Sequence, residues 1–110
     1  MIYTSQFAYK GEGRLDITVA AQTPFSPTWK MVGDYKAFGK KAKYTFYYHQ
    51  RMQRSYRDNF KYWKDVLDKS TKSDIVLVCY CKAGEFCHRL LLAEYLQKCG
   101  AQYGGERNRN

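Results

Sequence analysis

Seven consecutive apolar residues, Ile75-Val76-Leu77-Val78-Cys79-Tyr80-Cys81, form the longest apolar run in the chain and constrain its fold most. The run is far too short to cross a bilayer, which takes about 20 apolar residues in a helix. Its β-branched residues and lack of polar alternation predict a strand over Asp74–Cys81, buried on both sides. A strand covered on both faces belongs in a parallel sheet carrying other elements on its surfaces. The next segment fits such a sheet. Phe86–Cys99 has the spacing of an amphipathic helix, with Leu91, Leu92, Tyr95, Leu96 and Cys99 inward and Gly100 as its stop.

The rest of the chain reads as a matching set of elements. Met1–Gln6 is a first strand, and Leu15–Ala21 alternates well enough for a second. Thr23–Thr28 holds both prolines and reads as a loop. Trp29–Phe38 reads as a short helix capped by Thr28 and broken by Gly39-Lys40-Lys41. Thr45–Leu67 reads as one long helix, with Tyr48, Met52, Tyr56, Trp63 and Leu67 on one face and Arg54, Arg57, Lys61 and Lys64 on the other. Ala101–Glu106 fits a last short strand, and residues 107–110 a frayed tail. Trp29 and Trp63 are expected in the core. The 110 residues make one domain. The expected fold class is α/β: a small, mostly parallel sheet with helices packed on its faces, in two or three layers, Rossmann-like.

Charge and cysteine content narrow the setting. The net charge is +9. Between Lys36 and Lys64 stand nine cations (Lys36, Lys40, Lys41, Lys43, Arg51, Arg54, Arg57, Lys61 and Lys64) against one acid, Asp58. That segment suits an acidic partner such as nucleic acid or a nucleotide. Met1-Ile2-Tyr3-Thr4-Ser5 lacks the layout of a signal peptide, and no membrane partner is expected. The cysteines Cys79, Cys81, Cys87 and Cys99 cluster in the last third, unlike a secreted disulfide framework. Reduced thiols and a cytoplasmic location are expected.

In open parallel sheets, ligands bind beyond the carboxyl ends of the strands. The loop from Cys79 to Arg89 occupies such a place and leads into a helix N-terminus, whose free N–H groups favour anions. Gly84 permits close backbone approach, while Lys82 and Arg89 add charge. The same field lowers the pKa of a nearby thiol. A small anionic, nucleotide-like ligand is expected here, held by Lys82, Gly84, Cys87, His88 and Arg89, with Ser5 and Asp16 on the opposite wall. If the site turns over a substrate, Cys81 or Asp16 is the reactive group and Arg89 the electrostatic stabiliser.

Competing readings of the same residues stand beside this one. A thiol phosphatase loop needs arginine six residues after its cysteine; Cys87 stands six after Cys81, and the arginine comes at eight. Cys81, Cys87 and His88 are potential zinc ligands. However, Cys-x-Cys is not the usual Cys-x₂-Cys knuckle and no second pair exists, so neither metal nor cofactor is expected. A Cys81–Cys87 disulfide is a further alternative. Cys79 and Cys81, two apart on a strand, share a face as small buried hydrophobes. His88 falls on the apolar face with Leu91 and Leu92, where a core histidine would bond to backbone. Arg89 has a candidate internal partner in Glu106. Asp16 can cap a loop or pair with Arg14.

The chain resembles the domain of unknown function 488 family, in a form common in bacteria and their phages. Val76-Leu77-Val78-Cys79-Tyr80-Cys81-Lys82 and Cys87-His88-Arg89-Leu90-Leu91-Leu92-Ala93-Glu94 carry the resemblance. Leu15-Asp16-Ile17-Thr18-Val19, Phe25-Ser26-Pro27-Thr28-Trp29 and Gly105-Glu106 extend it, so that it spans about Tyr3 to Glu106. It implies a compact α/β fold with a parallel sheet and no established activity. It marks Cys87, His88, Arg89, the Cys79 region and Asp16 as the positions to watch. In relatives an acidic residue follows the first cysteine of the strand by two; Cys81 stands in that place.

Two further functions fit the same sequence. A nucleic-acid accessory protein would use the Lys36–Lys64 segment, above all Arg54, Arg57, Lys61 and Lys64, with Tyr44, Tyr47 and Tyr48 adjoining the cations. A protein that binds a partner and carries no chemistry is the third reading.

Overall fold

In the computed structural model, which describes residues 1–80 and 86–108, β3 (Ile75–Cys79) is buried along all five residues. It lies inside a four-stranded sheet of order β2-β3-β1-β4, built with β1 (Ile2–Gln6), β2 (Arg14–Asp16) and β4 (Tyr103–Glu106). Every pairing is parallel: Ile2 stands against Ile75, Gln6 against Cys79, Arg14 against Val76 and Ile2 against Tyr103. The α/β class expected from the pattern is the class found.

The two faces of the sheet are covered differently. Ile75, Leu77 and Cys79 join one large cluster with Ile2, Phe25, Tyr48, Met52, Trp63, Leu92 and Leu96. That cluster draws on all four helices: α1 (Trp29–Phe38), α2 (Lys41–Asp58), α3 (Phe60–Lys72) and α4 (His88–Lys98). Val76 and Val78 point the other way and pack with Tyr9, Tyr3 and Phe7, with no helical residue among the described members. The arrangement is therefore two-layered, with helices on one face only.

The second face is closed by the segment joining β1 to β2. Parallel strands oblige the chain to return to the starting edge, and this usually takes a dozen or more residues through a helix. Here residues 7–13 do it without a helix, through turns at 7–8 and 12–13, across β3. Gly13 carries φ +76, and its carbonyl accepts from Val76 N at 2.8 Å. A Cβ at Gly13 would collide with the Asp74 carbonyl oxygen, so only glycine fits. Arg14 fastens the return, donating to the carbonyls of Tyr9 (2.8 Å) and Phe7 (3.0 Å) with its guanidinium over the Phe7 ring.

Several expectations need correction. The second strand is shorter than Leu15–Ala21. Asp16 Oδ1 accepts from Thr18 N at 2.9 Å and turns the chain into a 3₁₀ turn over Val19–Ala21, capped by Thr18. The long helix expected over Thr45–Leu67 is two helices. Asn59, at φ −124 and ψ 37, separates α2 from α3. The break lets the Trp63 indole donate to Ser55 Oγ at 3.0 Å, while Ser55 Oγ donates to the Pro24 carbonyl at 2.7 Å. Trp63 is fully buried as expected. Trp29 is 61% exposed, because Met31 and Tyr35 make the core contacts of α1. Arg107, expected in a frayed tail, is held in place: it lies 3.9 Å over the Tyr3 ring and bonds to Asp74 at 3.0 Å.

α1 runs over Trp29–Phe38, with Thr28 Oγ1 accepting from Met31 N at 3.1 Å and Gly39 closing it in the left-handed region. α4 ends before Gly100, whose φ is +103. Among the described residues no helix is long and apolar enough to cross a membrane.

Candidate ligand cavity and thiol cluster

The end of β3 and the start of α4 place Cys79, Cys87, His88 and Arg89 together. Arg89 is fully buried. Its Nε and Nη2 grip Glu106 at 3.2 and 2.8 Å, a two-pronged pair of the kind that makes a buried guanidinium tolerable. Its Nη1 donates to Cys79 Sγ at 3.0 Å.

Cys79 and Cys87 are joined by a disulfide, their Cα atoms 7.8 Å apart, so these two are not the reduced thiols the sequence led one to expect. The structure thus brings Cys87 to Cys79, whereas the sequence pointed to Cys81 as its partner. His88 completes the group, with Nδ1 3.7 Å from Cys87 Sγ. Its Nε2 lies 2.6 Å from the Ile17 carbonyl oxygen. A carbonyl only accepts, so Nε2 carries the hydrogen and Nδ1 presents its lone pair to the sulfur. Burial holds the His88 pKa down to about 4, against the Ile17 bond and helped by the neighbouring Arg89 charge. The imidazole is neutral at pH 7.

A cavity of about 610 Å³ opens onto this cluster. Such volumes suit drug-sized ligands. Cys79, Cys87 and His88 line one side of it; Trp29, Tyr35, Tyr44, Tyr80 and Phe86 supply aromatic surface. The Phe86 ring sits 5.3 Å from Tyr35 and 5.6 Å from Tyr44. Lys36 and Lys41 also line the cavity, Lys41 Nζ lying 5.9 Å from the Phe86 ring centroid. Among the described residues no acid lines it.

The structure brings only some of the expected site residues together. Cys87 and His88 face the cavity, while Arg89 stands behind Cys79, engaged with Glu106. Ser5 is buried and donates to the Arg107 carbonyl at 2.6 Å. It pairs in register with Val78, as does Asp16, so both point to the sheet face opposite Cys79. Neither forms a wall of this cavity, and the Asp16 carboxylate is spent on the turn at Thr18. Cys81, Lys82 and Gly84 lie outside the described residues.

The basic segment from Arg54 to Lys64 is shared between two helices. Arg54, Arg57, Lys61 and Lys64 are all exposed, but the break at Asn59 divides them between two helices. Arg57 pairs with Asp58 at 3.1 Å. Arg54 instead lines a groove of about 380 Å³ between α1 and α2, with Lys30, Lys40, Lys43, Arg51 and Tyr47. Tyr48 belongs to the core and donates to the Phe25 carbonyl at 2.8 Å.

Sequence reasoning marked the Cys79 region and also read Cys79 as a small buried hydrophobe, but set Cys81 rather than Cys79 beside Cys87, and it missed the aromatic wall altogether. The eight-residue spacing from Cys79 to Cys87 was a usable signal. Nothing local joins Tyr35, Tyr44 and Phe86, which come from α1, α2 and the approach to α4.

No curated protein and no solved structure shows significant similarity to the chain. A family model described as the active DUF488-N3 subclade matches residues 9–100, which include β3, Cys79, Cys87, His88 and Arg89. The chain belongs to the DUF488 family, within that subclade.

Proposed function

We propose that this protein binds a planar, anionic, nucleotide-like small molecule in the cavity at the end of β3. The observation that carries the reading is the lining itself: aromatic side chains from several elements, two lysines and no acid among the described residues. Flat aromatic surface favours a ring system, and fixed positive charge favours a phosphate or carboxylate attached to it. Trp29 and Tyr80 remain 61% and 63% exposed at this cavity, which is costly apolar exposure unless something covers them. The N-terminus of α4 adds backbone donors, since Cys87 makes no side-chain cap there. The family description calls the subclade active, which supports a site that handles a ligand. Arg89 supports this site from behind, by fixing Cys79, and Lys36 and Lys41 hold the ligand's charge.

Thermal unfolding against a panel of nucleoside mono- and diphosphates, with the parent nucleosides and inorganic phosphate as controls, tests the proposal. At 100 times its dissociation constant a ligand stabilises by about 2.7 kcal/mol, a readily measured rise in Tm. A nucleotide should raise Tm more than its nucleoside or phosphate alone. Val32→Trp, which fills the cavity from α1, should abolish the rise. No stabilisation by any nucleotide, or stabilisation unchanged in V32W, would refute it.

A second reading is favoured by a separate observation. The α1–α2 groove gathers Lys40, Lys43, Arg51 and Arg54 beside the half-exposed ring of Tyr47. Cations tracking a backbone next to an aromatic platform are what single-stranded nucleic acid requires.

A further inference from the structure

We propose that the exposed rings of Phe38, Phe46 and Tyr47 form a base-stacking platform along the groove between α1 and α2, by which the protein takes unpaired strands of nucleic acid and passes over duplexes. This rests on the second reading above, in which charge brings a strand to the groove, and it names the side chains that select the strand's class. It does not depend on what the cavity at the end of β3 holds.

The rings are placed for that task. Phe38 is 68% exposed, Phe46 58% and Tyr47 45%. Phe38 ends α1 and Tyr47 stands on the second turn of α2, and both line the groove. The Phe46 ring centroid is 5.6 Å from that of Tyr47, with the two planes 70° apart. Bases in a duplex stay parallel and hide their faces in the stack. Bases lying on rings at 70° to one another are splayed, which only an unpaired strand allows. The groove, at about 380 Å³, has the volume of a small-molecule site, with room for a base and its sugar and not for a duplex.

The charges beside the rings suit the backbone of such a strand. Arg51 Nε donates to the Ser26 carbonyl at 2.7 Å, which fixes the guanidinium at the groove. An arginine held in this way presents its remaining N–H donors as a fork to a phosphate. Lys43 Nζ lies 6.0 Å from the Tyr47 ring centroid, so a base on that ring has a cation within reach of its phosphate. Asp34 is the one acid among the described lining residues, and Lys30 holds it at 3.3 Å. Cations alone attract single strands and duplexes alike. The rings supply the difference, because every unpaired base has a face to stack and a duplex keeps its own covered. Exposed rings among lysines also suit an anionic bilayer. A groove with an oriented arginine fits a strand better than it fits a flat lipid surface.

The test is fluorescence anisotropy of the full chain with a labelled oligothymidylate of about 12 nucleotides, within the span of small single-strand sites, beside a blunt duplex of the same length. The parent should bind the single strand about tenfold or more tighter than the duplex. Phe38→Ala and Phe46→Ala should each weaken single-strand binding by roughly 5–100-fold, the loss of one stacked base, and leave duplex binding and the salt slope as they are. Phe46→Trp, which keeps a flat ring, should bind as the parent does. Both positions are exposed, so the variants should unfold at the parent's temperature, which thermal unfolding checks. Equal affinity of the parent for strand and duplex would overturn the proposal and leave the charge-based reading standing. So would alanine variants that lose strand and duplex in equal measure. No binding of either oligonucleotide would remove both. Vesicles of phosphatidylcholine with phosphatidylserine are run alongside: vesicle binding that depends on Phe38 and Phe46, without preference for the single strand, would assign the rings to a lipid surface and overturn the proposal.

Discussion

Arg89 is the residue on which the site's architecture turns, and its part is structural support. It is fully buried and donates to Glu106 and Cys79. Removing one member of such a pair leaves a desolvated charge uncompensated, at a cost of about 3–5 kcal/mol. Arg89→Ala should therefore lower the urea midpoint by an amount in that range, rather than leave the fold intact and erase a ligand contact. Glu106→Gln keeps one acceptor and should cost less. Equal midpoints for R89A and the parent would remove Arg89 from this role. His88 makes a second prediction at the same scale. Its folded pKa is about 4 against an unfolded 6.5, so the unfolded chain takes up the proton first. Stability is then full above pH 6.5 and falls as the pH drops through the interval to about 4, by up to about 1.4 kcal/mol per pH unit. Urea unfolding at several pH values checks the slope, and His88→Gln should flatten it.

Among the elements, the outcome depended on whether the determinants were local. α1 was readable to its ends because Thr28 and Gly39 are caps adjacent in sequence. β3 was readable because β-branched residues with no polar alternation fit little else. The α2–α3 break was not, because Asn59 leaves the helix in favour of contacts among Ser55, Pro24 and Trp63 that a helical wheel cannot express. The cavity was hidden for the same reason: the Cys87-His88-Arg89 triplet was visible, but its aromatic walls come from elements far apart in the chain. The return segment of residues 7–13 yields a test. Gly13→Ala puts a Cβ against the Asp74 carbonyl at a φ of +76 and should destabilise by about 2–3 kcal/mol. Gly33→Ala, inside α1 with open space around it, should instead stabilise by about 0.5–1 kcal/mol. Both are read from denaturation midpoints. Similar behaviour of the two variants would mean that the return segment does not depend on the backbone at Gly13.

At the scale of the whole molecule, the excess of nine positive charges is divided by the fold into separate fields. Lys36 and Lys41 line the cavity, whereas Lys40, Lys43, Arg51 and Arg54, with Lys30 paired to Asp34, line the groove between α1 and α2. Lys40 and Lys41 are neighbours in sequence, yet one lines each site, because α2 begins between them. This separation makes the two functional readings independent. If single-stranded nucleic acid engages the four groove cations, its affinity should fall with salt at a log–log slope of about −3, from about −0.7 per neutralised phosphate. Lys43→Glu combined with Arg54→Glu should abolish that binding and leave the rise in Tm given by a nucleotide unchanged. Lys36→Ala with Lys41→Ala should do the reverse. Fluorescence anisotropy with a labelled oligonucleotide over a range of salt, run beside thermal unfolding with a mononucleotide, reads both. If either double variant removed both signals together, the groove and the cavity would be one continuous site, and a single extended polyanion would have to replace the small ligand as the occupant.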